Sequence, residues 1–168
     1  MITILGSTGT IGKNTLSVLE SLGRKGEVFA LSANKNFKLL FLQIKLFKPK
    51  YVVISDKINA LKLKELCKSN NISTKILHGA KNLSYISSHK SCKCLLSAIV
   101  GAAALQPTYD AVKSGKKVLL ANKESLIMSG KLLVTAAKKS GAILIPVDSE
   151  HNAVLQILST FGISYDNE

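Results

Sequence analysis

The apolar positions along this chain follow two alternating periods. Short runs rich in β-branched and aliphatic residues predict strands at residues 2–5, 27–32, 51–54, 74–77, 95–100, 116–121 and 142–145. Between them lie stretches whose spacing predicts helices, at about 11–22, 37–47, 57–69 and 80–88. Segment 37–47 shows the period plainly, with Leu39, Leu40, Leu42, Ile44 and Leu46 and a closing Pro49; Pro107 stands near the start of a later helix. Strands that alternate with helices predict an α/β fold built on a doubly wound, mostly parallel sheet. The near-continuous apolar run at 95–100 suits a strand covered on both faces.

Composition narrows this little. A chain of 168 residues that is 46% hydrophobic, with a mean hydropathy of +0.23, suits about one globular domain with a sizeable core. The longest apolar run, 95–105, is broken by Ser97 and Gly101 and falls short of the ~20 residues a membrane helix needs. Met1 passes straight into the first strand, so no targeting segment is expected before the fold. The cysteines, Cys67, Cys92 and Cys94, are odd in number, and the last two are too close for the usual zinc spacing; free thiols and a cytoplasmic location are expected.

Charge is uneven: residues 1–93 carry 16 Lys and Arg against 4 Asp and Glu, and the remainder 7 against 6. Such a bias can attract anions. The lysines, however, are scattered along helical segments without interleaved aromatics, so a solvated surface is expected, and neither nucleic acid nor membrane as a partner. His78 and His89 fall in polar, loop-like surroundings without spaced partners and are expected at the surface.

Candidate chemistry begins in the first dozen residues. The first strand runs into Gly6-Ser7-Thr8-Gly9-Thr10-Ile11-Gly12, and helical sequence follows at once. Glycine allows a tight turn and close approach of a phosphate, and the first N–H groups of the helix face the anion. The spacing is GxxGxxG rather than the usual GxGxxG, and a plain turn has the same composition; the strand before it and the helix after it favour a nucleotide cradle in a Rossmann-like fold. After the second strand, where a carboxylate commonly holds the ribose of NAD, stands Asn34-Lys35-Asn36. Two amides and a cation suit a 2′-phosphate and hence NADP, although an ordinary polar loop with asparagines that tolerate a left-handed backbone reads the same way.

Three more clusters follow strands. Gly101-Ala102-Ala103-Ala104 is small enough either for a ligand to approach or for a helix to pack on the sheet. Asn122-Lys123-Glu124-Ser125 lies where open α/β sheets bind ligands, with helix capping as the plainer account. Asp148-Ser149-Glu150-His151-Asn152 sets two carboxylates at i and i+2, which in extended chain face one way and suit Mg²⁺ or Mn²⁺. A helix N-terminus with an acidic first turn is the other account, and His151 is not assigned as a ligand.

Together, residues 6–12, 98–103, 120–126 and 146–153 resemble, in order and spacing, the 1-deoxy-D-xylulose 5-phosphate reductoisomerases. The resemblance implies an NADPH-dependent enzyme of non-mevalonate isoprenoid synthesis that rearranges its phosphorylated sugar substrate and reduces the product to 2-C-methyl-D-erythritol 4-phosphate. It implies that Gly6, Thr8, Gly9, Thr10 and Ile11 hold the cofactor's phosphates, that Asn34, Lys35 and Asn36 meet its adenosine end, and that Asn122 and Glu124 complete that site. Lys123, Ser149 and Glu150 would touch substrate, Lys123 and Glu150 with catalytic roles. Asp148 and Glu150 would bind the divalent metal, Mn²⁺ or Mg²⁺ with Co²⁺ as a further candidate. The family often has glycine where Asn34 and Ala104 stand.

The expected organisation is an NADPH-binding domain over 1–147 and, over 148–168, the beginning of a truncated metal-binding catalytic domain. The family continues past the position of Glu168 with a third acidic ligand, a phosphate grip, a lid and a helical domain. This chain alone is therefore expected to bind cofactor with little or no turnover, and to lack the family's homodimer contacts. The alternatives are a non-catalytic NADP-binding module and another NADP-dependent oxidoreductase. A semialdehyde dehydrogenase of that kind would need a catalytic cysteine that none of the three provides.

Overall fold

The structure, a computed structural model, describes residues 1–121 and 123–147. Seven strands form one parallel sheet among the described residues. They are β1 (Ile2–Leu5), β2 (Val28–Ala33), β3 (Tyr51–Ile54), β4 (Lys75–His78), β5 (Cys94–Ser97), β6 (Lys117–Leu120) and β7 (Ile143–Pro146). The helices are α1 (Thr10–Ser21), α2 (Phe37–Phe47), α3 (Lys57–Ser69), α4 (Ala80–Ser88), α5 (Leu105–Lys113) and α6 (Lys123–Ser140). The last bends at Ser129, whose φ of −148° and ψ of 23° leave the helical region.

The strand order is β4-β3-β2-β1-β5-β6-β7, so the direction of winding reverses between β1 and β5. Right-handed crossovers then place α1, α2 and α3 on one face and α4, α5 and α6 on the other. Two apolar cores fill these faces. One joins Ile4, Leu31 and Val52 of the sheet to Leu16, Leu40, Ile44 and Leu63 of the first three helices. The other joins Leu5, Phe29, Val53 and Leu95 to Leu83, Ile86, Val112 and Leu133 of the last three. Each strand divides its residues between the two cores, which is why β2 and β3 are buried along their whole length.

The sheet is wholly parallel where the sequence pattern predicts mostly parallel. Strand and helix ends fall within one residue of the predicted ones, except at the end of β5. β5 ends at Ser97, whereas the apolar run predicts a strand to Val100, which is instead 84% exposed. On one side of β5 the chain of β1 turns away at Gly6, and the pairing of the two strands ends with Leu5 and Ser97. β7 closes the sheet at its edge and tolerates Pro146 as its last residue.

His89 is not a simple surface residue. Its ring stacks on Phe29 at 4.7 Å and meets Tyr85 edge-on at 5.5 Å, and its Nδ1 accepts a hydrogen bond from the Ser91 N–H at 3.0 Å. Burial, with Lys50, Lys90 and Lys116 nearby, pulls its pKa below the ordinary value. His78 is exposed, as expected, and the three cysteines are free thiols. Among the described residues no helix is long and apolar enough to cross a membrane.

Candidate functional site

In a parallel sheet every strand delivers its following loop to the same edge. The register aligns Leu5 with Ser97, Ser97 with Leu120 and Leu120 with Pro146, while Ala33 aligns with Ile54. The turn after β1, residues 34–36 after β2, residues 98–101 after β5, the start of α6 after β6 and Val147 after β7 therefore share one edge.

The turn after β1 is built by sterics. Gly6 has φ +82°, and a Cβ there would lie 2.6 Å from the carbonyl oxygen of Ala98. Glycine is thus required both by conformation and by the neighbouring β5 loop. Gly12, buried in the first turn of α1, is required by space alone: a Cβ would overlap the Gly6 carbonyl oxygen and lie 2.6 Å from Ser7 Cα. Gly9 begins α1, its N–H donating to Gly6 O at 3.0 Å.

No side chain caps α1 and its first turn holds no acid. By contrast, the N–H of Leu39 donates to Asn36 Oδ1 at 3.1 Å in α2, and that of Asn59 donates to Asp56 Oδ1 at 2.6 Å in α3. The start of α1 thus presents backbone donors and the positive end of the helix dipole at the mouth of a close-packed turn. Thr8 is half-buried there, and Gly9, Thr10 and Ile11 are exposed.

The turn is held from behind by a buried polar group that the sequence did not reveal. Ser7, fully buried, donates its N–H to Ser32 O at 2.8 Å and its hydroxyl to Gln43 Oε1 at 2.7 Å, and Gln43 Nε2 donates to Ser7 O at 2.8 Å. The Gly6 N–H donates to Ser32 Oγ at 3.1 Å. Gln43 alone carried a readable signal: it is the polar member of the buried stripe Leu40, Gln43, Ile44, Phe47 on α2.

Asn34, Lys35 and Asn36 are all exposed beside this turn. Neither asparagine has a positive φ, so Asn34 replaces a glycine without needing a left-handed backbone. Asn36 also caps α2, so the helix-capping and ligand readings of that segment coexist. Ala104 is buried and packs in place. Beneath the β5 loop, the Ser97 and Thr108 hydroxyls pair at 2.8 Å and tie the strand end to α5.

The remaining expected residues are less fully described. Lys123 and Glu124 stand in the first turn of α6, at the same edge. Asn122, Asp148, Ser149 and Glu150 lie outside the described residues. Among the described residues no group of three or more His, Cys, Asp or Glu could hold a metal. A cleft of about 550 Å³ at the opposite edge, lined by Lys25, Phe47, Pro49, Lys50 and Lys75 among others, includes none of the expected site residues. The candidate site lies along the carboxyl edge of the open sheet, where such sheets usually bind ligands.

Comparison with known proteins agrees with this geometry. The family model described as 1-deoxy-D-xylulose 5-phosphate reductoisomerase matches residues 2–130. The reductoisomerase of Actinobacillus pleuropneumoniae serotype 5b is 50% identical over 157 residues, 94% of this chain and 40% of its own. That of Saccharophagus degradans is also 50% identical, with the same coverage. A DOX-P reductoisomerase solved with NADPH, fosmidomycin and magnesium superposes with a TM-score of 0.88 at 38% identity, over 92% of this chain and 38% of that one. The Zymomonas mobilis enzyme, solved with NADPH, gives 0.86 at 40% identity, over 92% and 40%. A biliverdin reductase from Synechocystis shares the fold alone, with a TM-score of 0.54 at 16% identity over 95% of this chain and 41% of that one. The chain spans about two fifths of the length of the curated relatives it matches. On the extent of the family match and half-identity over nearly its whole length, the chain belongs to the 1-deoxy-D-xylulose 5-phosphate reductoisomerase family.

Proposed function

We propose that this chain binds NADPH along the carboxyl edge of its sheet. In a complete active site it would serve the NADPH- and metal-dependent conversion of 1-deoxy-D-xylulose 5-phosphate to 2-C-methyl-D-erythritol 4-phosphate. The observation that carries the first part is the start of α1: uncapped, without an acid, and set in a turn where Gly6 and Gly12 leave no room for side chains. Such a terminus suits a pyrophosphate. Gly6, Thr8, Gly9, Thr10 and Ile11 would hold it, while Asn34, Lys35 and Asn36 would receive a 2′-phosphate through one cation and two amides. The NADPH complexes of the two solved relatives support the choice of dinucleotide.

Bound NADPH would supply the hydride for reduction. Asn122 and Glu124 would hold it from the far side, and Lys123 would place its ammonium against the substrate. Asp148 and Glu150 offer the hard oxygen donors that Mg²⁺ or Mn²⁺ prefers, and one solved relative contains magnesium. That ion would act as a Lewis acid on the substrate's oxygens. Ser149 and Glu150 would orient the substrate beside it.

Calorimetric titration of the chain with NADPH and NADH tests the cofactor reading. Saturable binding with NADPH the tighter ligand is expected; no binding of either would overturn it. Oxidation of NADPH in the presence of deoxyxylulose phosphate and Mn²⁺, compared with Asp148→Asn, then separates the readings of this chain. Turnover abolished by the substitution would make the chain an enzyme in itself, while binding without turnover is the outcome expected and fits a cofactor-binding module.

A further inference from the structure

We infer that Gln43 is a positioning residue for the cofactor: from behind the glycine turn it holds the turn in the shape that receives the pyrophosphate. This rests on the NADPH reading above. Gln43 is 6% exposed and lies on a helix face otherwise made of Leu40, Ile44 and Phe47. An apolar side chain would fill that place without the cost of removing an amide from water. Both ends of the amide are instead engaged with one residue. Its nitrogen donates to the Ser7 carbonyl at 2.8 Å, and its oxygen accepts from the Ser7 hydroxyl at 2.7 Å. These two bonds run in opposite senses and fix both the amide orientation and the Ser7 peptide.

On the other side, β2 holds Ser7 and Gly6. The Ser7 N–H and hydroxyl both approach the Ser32 carbonyl, at 2.8 and 3.1 Å, and the Gly6 N–H reaches the Ser32 hydroxyl at 3.1 Å. All the polar groups of Ser7 are thus committed inward, between α2 and β2. Gly9 N–H closes onto Gly6 O at 3.0 Å, so the start of α1 is set by the position of these two residues. A turn ordered before the ligand arrives binds it without paying for its ordering. Nothing in this arrangement touches residues 34–36, apart from the shared helix.

The test compares the full chain with Gln43→Met, which keeps the volume, Gln43→Glu, which loses the donor to Ser7 O, and Ser32→Ala, a milder loss on the β2 side. Each is titrated with NADPH and with adenosine 2′-monophosphate, which would occupy the 2′-phosphate end and leave the turn empty. NADPH affinity should fall about tenfold or more in the Gln43 variants, the consequence of losing a buried bond and stranding its partner, and by less in Ser32→Ala. Affinity for the monophosphate should stay at the parent value. Amide hydrogen exchange of unliganded protein should quicken at residues 6–9 and not in α3. NADPH binding equal to the parent, or equal losses for both ligands, would overturn the inference. Failure of the parent chain itself to bind NADPH would be the distinct failure of the cofactor reading, and would remove this one with it.

Discussion

Replacing Gly12 by alanine sets two effects of opposite sign against each other. In an ordinary helix interior the change stabilises by about 1 kcal/mol, since glycine gives up more backbone freedom on folding. At Gly12 the new Cβ overlaps the Gly6 carbonyl oxygen and lies 2.6 and 2.8 Å from Ser7 Cα and C. All three obstacles are backbone, and their own positions are fixed by Ser32, Gln43 and Ala98. No side chain can swing aside to relieve the contact. Overpacking of this kind costs about 1–3 kcal/mol, and rigid obstacles place Gly12 toward the upper end. The net expectation is a loss of roughly 1–2 kcal/mol, or a fall in melting temperature of about 2–8 °C for a chain of this size.

Gly26→Ala is the matched control. Nothing lies within 4 Å of the Cβ it would add, and its φ is not positive. It should be neutral or stabilising by up to about 1 kcal/mol. Thermal and urea unfolding followed by far-ultraviolet circular dichroism would compare both variants with the parent. NADPH titration should show weaker binding in Gly12→Ala alone, because the displaced atoms are those of the turn. A Gly12→Ala chain as stable as its Gly26→Ala counterpart would refute the close-packed turn, and with it the steric reason for the glycine spacing.

Two further predictions concern charge. Burial and the lysines at 50, 90 and 116 hold the His89 pKa below its ordinary 6.5, so the unfolded chain takes up that proton more readily than the folded one. Its contribution to stability is therefore complete above about pH 6.5 and is lost as pH falls through the lower folded value. Urea midpoints should fall on acidification through this range, and less steeply in His89→Phe, which keeps a ring against Phe29; identical slopes would refute it. Lys35→Ala should reduce the preference for NADPH over NADH about fivefold by calorimetry, the effect of one exposed ion pair, and an unchanged ratio would remove Lys35 from the 2′-phosphate site.

What was legible in the sequence follows from the range of the interactions involved. The ends of α2 and α3 could be read because local signals set them: Asn36 and Asp56 cap them, and both lie between apolar strands. The glycine turn could be read because Gly6 answers to its own positive φ and Gly12 to atoms a few residues away, although the contact of Gly6 with Ala98 is long-range. The end of β5 could not, since it is fixed by where β1 turns aside, about ninety residues earlier in the chain. His89 was misjudged for the same reason, its ring partners Phe29, Tyr51 and Tyr85 coming from β2, β3 and α4. Ser32 sits near the end of a strand like any polar residue, and nothing in its neighbours announces a partner 25 residues away.

The contrast between the two halves of the proposed cofactor site has a physical consequence. The turn from β1 to α1 touches β2, the loop after β5 and α2, and each contact restricts it: Ser32 from one side, Ala98 from the other, Gln43 from behind. Its shape is over-determined, so it belongs to the folded core. Asn34 and Lys35, by contrast, are exposed, and of the three residues only Asn36 is tied down by its own side chain through the cap it gives α2. Substitutions there alter a charge or a donor without moving the backbone. On the proposed reading, binding of any dinucleotide would depend on buried residues whose loss also affects folding, whereas the choice between NADPH and NADH would depend on the exposed Asn34 and Lys35. On that reading, substitution at residues 34–35 would change cofactor preference at little cost to the fold, whereas loss of Gly6, Gly12 or the Ser7–Gln43 pair would first disturb the turn.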